Sequence, residues 1–115
     1  MREPFEDRSP LTEATFYILV SMAVEPKHGY AILKDVKEVS QGRVALSTGT
    51  LYGVLSRLLD QGLIERVEEE NAEETGRLRK FYRLSHRGRR RLEAEMERLD
   101  SLMAAAQRRL EQSGG

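Results

Sequence analysis

Apolar residues recur at helical spacing in three successive stretches of the first half of the chain. The first follows Thr12, a suitable N-cap, and its apolar positions lie round so much of the helix that we expect it to be largely buried. Proline and glycine in residues 25–29 end that helix. A second helix is predicted over residues 30–39, with one apolar face that includes Tyr30 and Val36.

The third stretch begins at Ser47, a strong N-cap candidate, and Gly62 ends it. Residues 63–70 lose the helical period and weakly favour a strand, residues 71–76 are polar and turn-rich, and Lys80–Leu84 has the aromatic content of a strand. The predicted order is helix, helix, helix, strand, turn, strand. That is the order of a winged helix-turn-helix domain, in which the hairpin is the wing. An α+β fold of another kind is the alternative, and the compact spacing of the elements favours the winged helix.

A last helix, capped by Ser85, is predicted to continue to about Gln112. Its apolar residues are spaced alternately by four and three, as in a heptad seam, and at 1.5 Å per residue the helix is roughly 40 Å long. The preceding domain is too small to cover that length, so pairing with a second copy is favoured over packing on the same chain. The seam consists of Leu92, Met96, Leu99, Met103, Ala106 and Leu110, and Leu102 widens it.

The predicted fold class is mainly α with a small β-hairpin, as a winged helix-turn-helix domain followed by a long dimerisation helix. We assign residues 11–84 to the domain and 85–112 to the helix, with tails at 1–10 and 113–115. A composition of 39% hydrophobic and 33% charged residues agrees with one folded domain that has a modest core.

The formal net charge is zero, but the charge is unevenly distributed. Residues 60–76 are acidic with Arg66 as the only base, whereas residues 77–91 contain eight cations and no acid. Nucleic acid responds to the local surface and not to the total charge, so the balance is compatible with a basic footprint. A solvated charged face is the alternative interpretation of such a run.

Several features point to the cytoplasm. The chain has no cysteine, which excludes disulfides, thiolate metal sites and cysteine nucleophiles and agrees with a reducing compartment. Residues 1–8 are charged and do not have the apolar core of a signal peptide. The longest apolar stretch, residues 16–24, is too short to cross a bilayer, so we expect no membrane association.

Two glycines lie on the face of the third predicted helix that is opposite its apolar positions. Each costs about 1 kcal/mol relative to alanine, and close approach to another surface, such as a DNA major groove, is the simplest use for them. The start of the helix adds free backbone N–H groups and three hydroxyls that could bind a phosphate, although a frayed and merely capped helix start is the alternative. The candidate contact residues on this helix are Ser47, Thr48, Gly49, Thr50, Tyr52, Gly53, Ser56 and Arg57.

The predicted wing places three cations, Arg77, Arg79 and Lys80, at or beside its turn. There they can reach backbone phosphates or a minor groove. The acidic residues before the turn partly neutralise these cations unless they point away. A competing source of phosphate contacts is the arginine cluster at the head of the last helix, Arg87, Arg89, Arg90 and Arg91.

Signatures of an enzyme are lacking. His28 and His86 are the only histidines, and neither belongs to a ligand-spaced cluster with carboxylates. The sequence contains no phosphate-binding glycine loop and no nucleophile elbow. We therefore expect no catalytic residues, no metal and no cofactor, and we expect His28 to cap the second helix.

These motifs resemble the PadR family of transcriptional regulators, with the likeness running from about residue 11 to residue 92. The matching segments are His28-Gly29-Tyr30, Ser47-Thr48-Gly49-Thr50-Leu51-Tyr52, Arg57-Leu58, Gly62-Leu63-Ile64, Gly76-Arg77, residues 79–85 and Gly88. The single terminal helix resembles the shorter branch of the family. Two positions depart from the family pattern, namely Gly53 in place of proline and Leu59 in place of an acid.

The resemblance implies a homodimeric repressor that binds a pseudo-palindromic operator in double-stranded DNA, with the third helix in the major groove and the last helix at the dimer interface. It also leaves room for a small-molecule effector of unknown identity. Family members that bind aromatic drugs do so between tryptophans at that interface, and this chain has no tryptophan. The alternative is a winged-helix protein-interaction module that does not bind DNA. The net charge of zero and the acidic strand are compatible with this alternative.

Overall fold

Four helices and three short strands make up the part of the chain that the structure describes, residues 9–68 and 80–114. In the computed structural model they follow the order α1 (Glu13–Ser21), β1 (Lys27–His28), α2 (Gly29–Val39), α3 (Thr48–Asp60), β2 (Ile64–Glu68), β3 (Lys80–Leu84) and α4 (His86–Gln112). The predicted order of three helices, a strand pair and a long last helix is confirmed, and so is the mainly α fold class.

The sheet has one more strand than the predicted hairpin. Its strand order is β1-β3-β2, and all neighbours are antiparallel. In β1, Lys27 lies opposite Tyr82 and His28 opposite Phe81. A strand of two residues is too short to show an alternating pattern, and it forms because the outer edge of β3 supplies its hydrogen-bonding partner. The prediction that residues 27 and 28 only interrupt the chain between two helices is therefore wrong.

Side-chain caps begin each helix, as predicted. Thr12, Ser47 and Ser85 accept hydrogen bonds from backbone N–H groups three residues later, at 3.1, 3.1 and 2.9 Å. His28 caps α2 in the same way, with its Nδ1 accepting from the N–H of Ala31 at 3.2 Å. Each of these bonds satisfies a donor that would otherwise have no partner at a helix start. Gly62 lies just beyond α3 with a φ of +73°, which is the conformation expected after a helix end.

A single hydrophobic core joins the first three helices, the inner face of the sheet and the base of α4. The expected face of α2 is partly wrong, because Tyr30 is 71% exposed and Val39 is also exposed, while Ile32 and Val36 are buried. The core consists of Ile18, Leu19, Met22, Ile32, Val36, Leu51, Val54, Leu55, Leu58, Leu63, Ile64, Tyr82 and Leu92.

The start of α4 is bonded to the turn that follows α3. The backbone N–H of Ser85 donates to the carbonyl oxygen of Leu63 at 3.0 Å, and its hydroxyl donates to the carbonyl of Gly62 at 2.7 Å. Gly88 packs against the Leu63 carbonyl so closely that no side chain would fit at that position. The direction of α4 is therefore determined by contacts with the end of α3.

A buried carboxylate joins α4 to the segment before α1. Glu95 is 3% exposed, and Arg98 donates two hydrogen bonds to it at 2.9 and 2.7 Å, while the N–H of Leu11 donates a third at 3.2 Å. The bonds from Arg98 lower the pKa of Glu95 below its usual 4.5, burial opposes the shift, and the bond from Leu11 reinforces it. Close by, Arg91 donates to the carbonyl of Ser9 at 2.6 Å.

In the parts of the chain that the structure describes, no helix has the length and apolar character needed to span a membrane.

Candidate functional site

One face of α3 is open along its whole length. The opposite face buries Leu51, Val54, Leu55 and Leu58 in the core. A Cβ atom added at Gly49 or Gly53 would meet nothing within 4 Å. This open side, the outer face of α3, carries every candidate contact residue predicted on the helix and its cap. All of them are exposed, namely Ser47, Thr48, Gly49, Thr50, Tyr52, Gly53, Ser56 and Arg57.

Hydroxyl groups line the start of α3. The Ser47 hydroxyl accepts from the N–H of Thr50 at 3.1 Å and donates to the Thr50 hydroxyl at 2.9 Å. The first intrahelical hydrogen bond is donated by the N–H of Leu51 to the carbonyl of Ser47. The N–H groups of Thr48 and Gly49 come before it and point out of the helix end. Together with the positive end of the helix dipole, they form a surface suited to an anion such as a phosphate.

Tyr52 connects α3 to two neighbouring elements. It is 45% exposed, and the far end of its ring lies against Gly29, the first residue of α2. Burial raises the pKa of the Tyr82 phenol above its usual 10.0, and the nearby Tyr52 contributes to the shift while Arg66 opposes it. The sequence analysis did not predict these partners of Tyr52. The sequence contained one signal for them, since Gly29 belongs to the His28-Gly29-Tyr30 motif.

The wing strands pair acidic residues with basic ones. Lys80, the first residue of β3, is exposed and lies opposite Glu68 of β2. Farther along the hairpin, Arg83 binds Glu65 through an ion pair of 3.0 Å. The two acids of β2 therefore face cations of the adjacent strand. Arg77 and Arg79, the other predicted wing contacts, lie outside the described residues.

The four arginines at the head of α4 differ in their surroundings. Arg89 donates to the carbonyl of Ala23 at 3.1 Å, and Arg91 is buried against the chain before α1. Arg90 is half-buried and Arg87 is exposed. Arg89 and Arg91 therefore hold α4 against the rest of the domain.

The domain covers only the first residue of the predicted seam on α4 and leaves the others exposed. Leu92 is only 8% exposed and belongs to the core of its own chain. From Met96 onward, where the exposure is 51%, the seam residues lie on the surface of the single chain. The exposed part of the seam consists of Met96, Leu99, Leu102, Met103, Ala106 and Leu110.

Among the described residues, no group of three or more histidine, aspartate or glutamate side chains is arranged to hold a metal ion. The described residues present a helix face of small and hydroxyl-bearing residues on α3 and a separate apolar seam on α4.

Comparisons of sequence identify relatives over most of the chain. The model of the transcriptional regulator PadR-like family matches residues 18–94. An uncharacterized 37.1 kDa protein of transposon TN4556 from Streptomyces fradiae is 40% identical over 83 residues, which are 72% of this chain and 22% of that protein. The transcriptional regulator YqjI of Escherichia coli K12 is 29% identical over 90 residues, which are 78% of this chain and 41% of that protein. The chain thus spans less than half the length of these two relatives.

Solved structures show the same fold. A PadR family transcription regulator from Clostridium difficile R20291 superposes with a TM-score of 0.71 and 26% identity, covering 84% of this chain and 97% of that one. Bacillus subtilis PadR, in complex with operator DNA, superposes with a TM-score of 0.59 and 24% identity over 69% of this chain and 44% of that one. Because the family model matches well over half of the chain, the resemblance is confirmed: this chain belongs to the transcriptional regulator PadR-like family, whose members are regulators and not enzymes.

Proposed function

We propose that this chain is a sequence-specific DNA-binding regulator that acts as a homodimer on a pseudo-palindromic operator and represses transcription. The open outer face of α3 is the observation that carries the proposal. Open space surrounds its two glycines, Gly49 and Gly53, and the face presents small and hydroxyl-bearing residues that allow a helix to enter a major groove. The fold is shared with Bacillus subtilis PadR, which was solved in complex with operator DNA.

Phosphate contacts would flank this reading helix on two sides. The N–H groups of Thr48 and Gly49 and the hydroxyls beside them would bind one phosphate at the start of α3. Lys80, with Arg77 and Arg79 beyond it in the sequence, would bind others from the wing. Because Glu65 already binds Arg83, the wing's attraction for DNA would come from Lys80 and from the cations nearer its turn.

The exposed part of the seam on α4 supports the proposal of a homodimer. Five large apolar side chains of the seam stay exposed from Met96 to Leu110, although each contributes about 1.5–3 kcal/mol when it is fully removed from water. Pairing with the same stripe of a second copy would bury them. A two-fold dimer would then present its two α3 helices to half-sites about one helical turn of DNA apart.

A charge on the outer face of α3 tests the DNA-binding proposal. Sites bound by the wild-type protein are first selected from genomic DNA, and Gly53→Glu is compared with Ala105→Glu, which places the same charge on an exposed part of α4. Gly53→Glu should abolish binding to the selected sites, because it adds bulk and negative charge between α3 and DNA. The circular dichroism spectrum should hardly change in either variant. Undiminished binding by Gly53→Glu would show that α3 is not the reading element.

The salt dependence of binding to random duplex DNA separates this function from that of a protein-interaction module. Phosphate contacts release counterions, so the affinity of a DNA-binding protein falls steeply as salt concentration rises. A chain that binds no duplex DNA even at low salt would contradict the proposal and favour the interaction module.

A further inference from the structure

Arg57 is the one cation of α3. The helix sequence TGTLYGVLSRLLD contains this arginine, no lysine, and a single acid, Asp60. Arg57 is exposed, and within the described parts of the chain no carboxylate binds it, including Asp60 three residues later. Its guanidinium group is therefore available to a partner that approaches the outer face of α3.

Gly53 lies one helical turn before Arg57 and leaves room for it. A long helical side chain leans towards the N-terminus of its helix, so that it covers the turn before its own Cα atom. The guanidinium of Arg57 can therefore reach the space beside Gly53, where an added Cβ atom would meet nothing within 4 Å. Any larger residue at position 53 would occupy this space. The open turn allows the guanidinium to lie along the outer face, which would be the part of α3 closest to the base edges.

The other groups on the outer face discriminate poorly between bases. A hydroxyl both donates and accepts, so serine and threonine can bind several base edges. A guanidinium group has donors in a rigid fork, which matches the O6 and N7 acceptors of guanine in the major groove. No other side chain of α3 carries such a fork.

We propose that Arg57 reads one guanine in each operator half-site from the major groove, and that Gly53 provides the space for this contact. The proposal rests on the proposed function and adds the base that is read. A guanidinium that bound a phosphate instead would contribute equally to the affinity for all sequences, and the experiment separates these two cases.

The test replaces individual guanines of a selected operator with 7-deazaguanine, which has no N7 acceptor, or with inosine, which keeps both O6 and N7. For the wild-type protein, one 7-deazaguanine per half-site should weaken binding roughly 5- to 150-fold, the range of one good bidentate base contact, while inosine at that position has little effect. For Arg57→Ala the same replacement should change binding by less than about twofold. Arg108→Ala, an exposed arginine far along α4, is the matched control and should respond like the wild type.

Circular dichroism and the thermal midpoint verify that Arg57→Ala is folded. If the wild type binds its operator specifically and Arg57→Ala keeps the same sensitivity to every 7-deazaguanine, the guanine assignment is wrong and the proposed function stands. The assignment is equally wrong if Arg57→Ala weakens operator and random DNA by the same factor, which identifies a phosphate contact. If the wild type binds no DNA, the proposed function fails together with it.

Discussion

The phenol ring of Tyr52 in α3 rests on Gly29, the first residue of α2, so closely that a side chain on Gly29 would overlap its hydroxyl end. Gly29 is buried. A Cβ atom at this position would therefore force the Tyr52 ring to shift. The contact joins α3 to the start of α2, so we expect the two positions to be energetically dependent on each other.

A double-mutant cycle measures this dependence. Gly29→Ala should destabilise the protein, because its methyl group displaces the Tyr52 ring, and it should cost less in a Tyr52→Leu background, where the overlapping atoms are absent. Residues in direct contact typically show a coupling of about 0.5–3 kcal/mol. Denaturant unfolding of the four proteins gives the coupling energy. Equal costs of Gly29→Ala in both backgrounds would show that the two residues are independent.

Gly88 in the first turn of α4 should tolerate no side chain. A Cβ atom there would overlap the carbonyl oxygen of Leu63, a backbone atom that also accepts the N–H of Ser85. Gly88→Ala should therefore lower the free energy of unfolding by about 1–3 kcal/mol, as overpacking does. Gly53→Ala is the matched control, because its methyl group enters open space and alanine favours a helix by about 1 kcal/mol. Chemical denaturation should give opposite signs for the two variants.

The dimer proposal is tested at Leu99, near the middle of the exposed seam. In Leu99→Glu a carboxylate replaces a side chain that we expect to be buried between two copies, and an unpaired charge in an interface is strongly unfavourable. Light scattering should report a monomer or an unfolded chain. Ser101→Glu adds the same charge on an exposed position off the seam and should remain a dimer. A dimer of unchanged mass in Leu99→Glu would mean that the interface lies elsewhere.

Wing residues should affect the salt dependence of DNA binding more than its sequence preference. Lys80→Ala and Arg79→Ala should weaken binding to operator and to random DNA in similar proportion, and each should reduce the salt slope by about one unit per half-site. Arg83→Ala serves as a control, because Arg83 already binds Glu65. Titrations at several salt concentrations provide the slopes. If Arg89→Ala reduces the slope while the wing variants leave it unchanged, the phosphate contacts belong to the head of α4.

Stability at acid pH should depend on Glu95. Its pKa in the folded protein is lowered, chiefly by the hydrogen bonds from Arg98, so the ionised form favours the folded state. That contribution is complete above the usual pKa of 4.5 and is lost as the pH falls through the lower pKa of the folded protein. Glu95→Gln should therefore be less stable than the wild type at pH 7, and the difference should shrink below about pH 4.5. Thermal unfolding across this range measures it, and a constant difference would contradict the assignment.

The features that the sequence predicts well are those determined within a few residues. A serine, threonine or histidine caps a helix through a bond to the N–H three residues later, so Thr12, His28, Ser47 and Ser85 could be assigned without any knowledge of the fold. The outer face of α3 follows from helical periodicity in the same way.

What the sequence could not show depends on packing between distant segments. The heptad seam continues without a break through Leu92 and Met96, yet the domain covers the first and leaves the second exposed. Strand β1 exists because β3 lies beside it, and Gly29 and Gly88 are constrained by residues 23 and 25 positions away in the chain. A periodic pattern carries no information about where a neighbouring element ends.

The bonds from Ser85 to Gly62 and Leu63 have a consequence for operator recognition. They connect the turn that follows α3 directly to the start of α4. In the proposed dimer, the two chains would meet along α4, and each α3 would be held in a fixed position relative to its own α4. The distance between the two α3 helices would therefore be constant. The number of base pairs between the half-sites would then be recognised through geometry alone, even where the protein contacts none of them.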